Sequence, residues 1–161
     1  MTDTAKLLEG YTPTIITIEP YEMDVTFVWS PDEQQALARY FTNSDDKRWK
    51  EWGPYIADTE WNCRGMSWVG SLDVPAVVGV NLPLFYSGED GQMMFRNAMG
   101  TLAHEIFHII IMALSKNIGE NPEYGHEEPM AYQTGFLMRR GLELLAAECP
   151  NLHTMVDNAA K

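Results

Sequence analysis

Runs of alternating and helical hydrophobic spacing divide this chain into strands and helices. Thr14-Ile15-Ile16-Thr17-Ile18-Glu19 and Asp24-Val25-Thr26-Phe27-Val28-Trp29 are β-branched and aromatic, joined through Pro20-Tyr21, and predict two strands. Ser30-Pro31-Asp32-Glu33 then predicts a helix start, with Ser30 as cap, Pro31 at the first position and Glu33 closing a capping box; the helix should run to Phe41. A polar break follows at Thr42 to Asp46, and Lys47 to Trp52 mixes charge with indole before Gly53-Pro54. Met66 to Gly70 and Ala76 to Leu82 read as two further strands, linked by Ser71 to Pro75.

The second half is helical. Ser87-Gly88-Glu89-Asp90 offers cap oxygens and first-turn acids, and no proline occurs from about Gln92 until Pro122. Met94, Phe95, Ala98, Met99, Leu102, Ile106, Ile109, Ile110 and Ala113 recur at helical spacing, which predicts a mostly buried helix ending at Lys116-Asn117-Ile118-Gly119. A second helix should begin around Glu127-Glu128-Pro129, because proline is tolerated only in a first turn. Its Ala131, Phe136, Leu137, Leu142, Leu144, Leu145 and Ala146 can pack on the first helix, and the short link favours an antiparallel pair. The expected fold class is α+β: a short, mostly antiparallel sheet packed against one long helix and its antiparallel successor.

Candidate chemistry sits in the middle of the first long helix, at His104-Glu105-Ile106-Phe107-His108. Residues four apart share a helix face, so His104 and His108 can reach one metal ion, as in a zinc site. Glu105 points aside, too far round the helix for a third ligand but placed to contact a water in the metal's open position, as a general base must. Two imidazoles and a carboxylate on an otherwise apolar, mostly buried helix must also find partners inside the protein, which a metal supplies. Third-ligand candidates cluster downstream in Glu123-Tyr124-Gly125-His126-Glu127-Glu128. Glu127 and Glu128 open the second helix, where the dipole favours the ionised carboxylate that binds metal, and His126 is a further candidate.

Composition narrows the setting. At 161 residues and 45% hydrophobic, the chain has the length for one domain over 1–161: strands and one helix over 1–86, the helix pair over 87–149, and a polar tail over 150–161. Eleven basic against 23 acidic residues give a net charge of −12, which argues against nucleic acid as partner despite the basic, indole-rich island Lys47 to Trp52. The longest apolar stretch is interrupted by the histidines, so no membrane span is expected. Cys63 and Cys149 lack paired zinc-site spacing and read as reduced thiols, pointing with the missing export signal to the cytoplasm.

Leu102-Ala103-His104-Glu105-Ile106-Phe107-His108, followed by Glu127-Glu128-Pro129-Met130-Ala131-Tyr132 and Gly135-Phe136-Leu137, resembles the small phage-encoded metallopeptidases, themselves similar to minimal gluzincins. The likeness spans the layout from Arg64 to Leu145 and is specific only around these two motifs; Pro129 departs from the family's usual helix former. It implies a zincin-like domain, Zn2+ held by His104, His108 and Glu128 with Glu127 in reserve, and Glu105 as general base. Tyr124, His126 and Tyr132 are then candidate oxyanion donors. It also implies that one of the strands Met66 to Gly70 or Ala76 to Leu82 borders an extended peptide or protein substrate. The setting implied is the cytosol of an infected bacterium. An alternative from another class is a catalytically silent relative that binds and inhibits a host factor; a component whose metal serves only folding is a third.

Overall fold

The structure, a computed structural model, describes residues 10–18, 23–70, 73–87, 92–93, 95–118 and 127–148, without the side chains at 87, 92, 93, 95, 113–118, 127–129 and 148. Within these residues the chain is α+β. In order come β1 (Ile15–Ile18), β2 (Met23–Val28), α1 (Pro31–Thr42), α2 (Lys47–Ala57), β3 (Gly65–Trp68), β4 (Ala76–Val80), a 3-10 turn (Leu82–Phe85), β5 (Tyr86–Ser87), β6 (Gln92–Met93), α3 (Phe95–Ile118) and α4 (Glu127–Glu148). Among the described residues no helix is long and apolar enough to cross a membrane.

The main sheet has the order β1-β2-β4-β3. β1 and β2 pair antiparallel, β2 and β4 parallel, and β3 and β4 antiparallel, so the sheet is mixed. Side-chain alternation sends each strand's residues to two cores. Val25 and Phe27 of β2 and Ala76, Val78 and Val80 of β4 join Ala98, Leu102, Ile106, Ile109 and Ile110 of α3 and Leu137 and Leu145 of α4. Val28 and Val77 face the other way, into a core with Leu37, Ala38 and Phe41 of α1, Trp52 and Ile56 of α2, and Trp61 and Trp68. Helices therefore cover both faces, where the sequence predicted cover from the α3 and α4 side with a single early helix. β4 is buried along its whole length, which explains its unbroken apolar run.

The added helix is α2. The sequence pattern predicts no second helix before residue 86, yet α2 runs through Gly53-Pro54 to Ala57. Gly53 makes the passage possible, because a Cβ there would lie 2.5 Å from the Ala38 carbonyl oxygen and 2.7 Å from the Thr42 nitrogen. Only a glycine lets the backbones of α1 and α2 approach so closely. Buried Gln34 fastens the far end, its amide donating to the carbonyls of Ile56 (2.7 Å) and Thr59 (2.8 Å). Trp52 is buried and donates its indole N–H to the Pro75 carbonyl at 3.1 Å, so this part of the basic island is core.

Ser30 caps α1 as expected, accepting from the Glu33 nitrogen at 3.2 Å, but the Glu33 carboxylate accepts from the Trp29 nitrogen, one residue before the usual capping-box donor. α3 starts at Phe95, later than expected. Gln92–Met93 instead pair with Tyr86–Ser87 as a small ribbon, because Ser87 to Gly91 is a turn sequence as much as a cap. Of the residues expected to bind α4 to α3, Leu137 and Leu145 are buried and Phe136, Leu142, Leu144 and Ala146 pack against that core, while Ala131 is exposed.

Candidate metal centre and its cleft

α3 is not buried all round. Ala98, Leu102, Glu105, Ile106, Ile109 and Ile110 face inward, whereas Arg96, Asn97, Gly100, His104, Phe107 and His108 form an open face. Both histidines are therefore exposed, contrary to the expectation of an interior pair. The apolar count along the helix hides this: Gly100 is open and Phe107 is 48% exposed.

On that face the Nε2 atoms of His104 and His108 lie 3.0 Å apart, their rings at 87°. Two nitrogens each about 2.05 Å from a tetrahedral zinc would be about 3.3 Å apart, so the spacing fits two ligands of one ion. The convergence of the two Nε2 atoms is what one turn of helix delivers to side chains four residues apart. Among the described residues no set of three His, Cys, Asp or Glu side chains converges to hold a metal ion. Glu127 and Glu128 open α4, with Pro129 in its first turn as predicted; their side chains, together with Tyr124 and His126, lie outside the described residues. Tyr132 is described, stands 75% exposed, and is not among the residues lining the cleft beside His104.

Glu105 turns from the histidines toward β3 and is 7% exposed. β3 is an edge strand, and its register with β4 explains the contact: Gly65 pairs Val80 and Ser67 pairs Val78, so both share the face toward α3. Met66 and Trp68 point to the opposite core. The Ser67 hydroxyl donates to Glu105 Oε2 at 2.5 Å and lies 3.2 Å from the Glu105 carbonyl oxygen. A Cβ at Gly65 would sit 2.4 Å from Thr101 Cγ2 and 2.6 Å from Glu105 Oε1, so glycine is what lets β3 close on α3 here.

Arg64, Gly65, Arg96, Asn97, Gly100, Thr101, His104 and Glu105 line one open cleft of about 410 Å³ between the edge strand and α3. Arg64, Gly65 and Ser67 had no role in the sequence reading. The signal was there in part: a small and a polar residue alternate with Met66 and Trp68, as on a strand with one face against something polar. No family model, curated protein or solved structure matches the chain.

Proposed function

We propose that this chain is a zinc-dependent peptidase of gluzincin-like, zincin-like layout, with His104 and His108 as two metal ligands, Glu128 as the third and Glu105 as general base. One observation carries the reading: two Nε2 atoms 3.0 Å apart on an exposed helix face, one residue from a buried carboxylate lining the same cleft as His104. A zinc ion held there would supply Lewis acidity and make water nucleophilic near neutral pH.

The chain's own groups have distinct tasks. Ser67 fixes Oε2 of Glu105, and Oε1 has no hydrogen-bond partner among the described residues, so Oε1 is the atom available to take a proton from water and return it to a leaving nitrogen. Of the two candidate strands, β3 suits an extended substrate, because it is at the sheet edge and touches Glu105, while β4 is interior. A peptide laid along β3 would pair through its backbone. A cytoplasmic, phage-encoded enzyme acting on one or few proteins, host proteins included, is the setting this proposal carries.

The test is metal analysis joined to hydrolysis. Purified protein should bind one equivalent of zinc, His104→Ala should lose it, and Glu105→Gln should keep the metal while abolishing cleavage of a fluorogenic peptide library. Wild-type cleavage rates in Glu105→Gln, or no zinc uptake by the unaltered chain, would refute the proposal.

A further inference from the structure

The cleft beside Glu105 has arginines among its described lining residues, in a chain that is strongly acidic. With a net charge of −12 overall, two of its eight described lining residues are arginines, and its one acid, Glu105, already accepts the Ser67 hydroxyl. Like Arg39 and Arg139, Arg64 has no ion pair among the described residues, and of these three it alone lines the cleft. Arg48 is held by Asp46 and Asp73, and Arg140 by Glu143, whereas Arg64 makes no ion pair with a described residue. Its guanidinium lies over the ring of buried Phe85, 5.5 Å from the centroid, and its backbone carbonyl accepts from the Asn81 nitrogen at 2.9 Å. Backbone and guanidinium are thus both fixed at the sheet edge. Contact with the ring holds the cation at the cleft wall, where its N–H groups can form a paired bond with a carboxylate.

The opposite wall adds to this. Arg96 and Asn97, each with a partner of its own, come from the first turn of α3, where the helix dipole is positive. Between the walls Gly100 is open, since a Cβ there would meet nothing within 4 Å. An extended polyanion is excluded by the charge of the whole molecule, but one carboxylate is not.

We propose that this cleft is a carboxylate-binding subsite in which Arg64 receives an acidic side chain or the terminal carboxylate of a peptide. Its place beside the scissile bond rests on the peptidase reading; the binding itself does not. The preferred substrate then carries a negative charge close to the point of cleavage.

The test uses the full chain as Glu105→Gln, loaded with zinc, and four peptides measured by calorimetry in low salt. They are acetyl-Ala-Ala-Glu-Ala-Ala-amide, its Gln and Lys counterparts, and the Gln peptide with a free C-terminal acid. The Glu peptide, the free acid, or both should bind about tenfold tighter than the Gln amide, and which of them gains identifies the source of the carboxylate. Adding Arg64→Gln should remove that advantage and leave the Gln amide unchanged, Arg64→Lys should restore part of it, and Gly100→Phe should block the acidic peptides without altering a charge. Equal binding of all four, no binding by any, or an equal loss for all four on Arg64→Gln would overturn the subsite. Acidic preference with no cleavage by wild-type protein would sink the peptidase reading alone; cleavage indifferent to charge would sink the subsite alone.

Discussion

Ser67 on the edge strand and Glu105 in the middle of α3, 38 residues apart in the chain, share a hydrogen bond of 2.5 Å. It joins the sheet to the helix at the carboxylate that would act as base. Ser67→Ala should destabilise the fold by about 1–3 kcal/mol, because a carboxylate that is 7% exposed would lose its one described partner. Peptide turnover should fall about tenfold or more as Oε1 loses its aim. Urea unfolding and initial rates measure the two effects, and a double-mutant cycle of stability with Glu105→Gln should show the pair coupled. Additive losses in that cycle would mean that the hydroxyl acts elsewhere.

Zinc should stabilise the native chain by mass action, since the two Nε2 atoms are brought together only when α3 is folded. At a hundred times the dissociation constant the gain is about 2.7 kcal/mol. A thermal melt with and without zinc should show an upward shift in wild type and in Glu105→Gln, and none in His104→Ala or His108→Ala. A shift that survives both histidine variants would place the metal somewhere else.

The sequence revealed what depends on local pattern. Strands β1 to β4, the Ser30 cap, the long helix and the spacing of His104 and His108 all follow from period and punctuation, and all are present. What it hid depends on neighbours distant in the chain. The helix through Gly53-Pro54 becomes legible only once α1 lies against it. Ser67 reads only as a strand residue until its register with Val78 turns it toward α3. The histidines seemed interior because apolar residues surround them in sequence, although the third dimension leaves one face of the helix uncovered.

Glycines in helices should separate by the space around them. Gly100 and Gly135 have nothing within 4 Å of a built Cβ, so alanine at either should stabilise the fold by about 0.5–1 kcal/mol through reduced freedom of the unfolded chain. Gly53→Ala should do the opposite, by about 1–3 kcal/mol, since its Cβ would fall 2.5 Å from a backbone oxygen of α1 that cannot rotate away. Thermal unfolding of the three variants side by side is the check. A neutral Gly53→Ala would show that α1 and α2 separate at no cost.

Acid should act on the cap of α2. Asp46 Oδ1 accepts from the Arg48 nitrogen at 2.9 Å and Oδ2 from the Arg48 guanidinium at 2.7 Å. The side-chain bond to Arg48 first, and then the backbone bond, hold the Asp46 carboxyl at about 2, down from 3.8. A carboxyl depressed in the folded state contributes stability that is present above its unfolded value and is lost as pH falls through the folded one. Asp46→Asn keeps an oxygen to cap the helix but has no charge. The difference in urea midpoint between wild type and Asp46→Asn should therefore be constant above about pH 5, narrow from about 4 to about 2, and close below that. Because the pair is at the surface, molar salt should shrink the difference at every pH. A gap unchanged down to pH 2 would show that the Asp46 charge contributes nothing and that the cap alone matters.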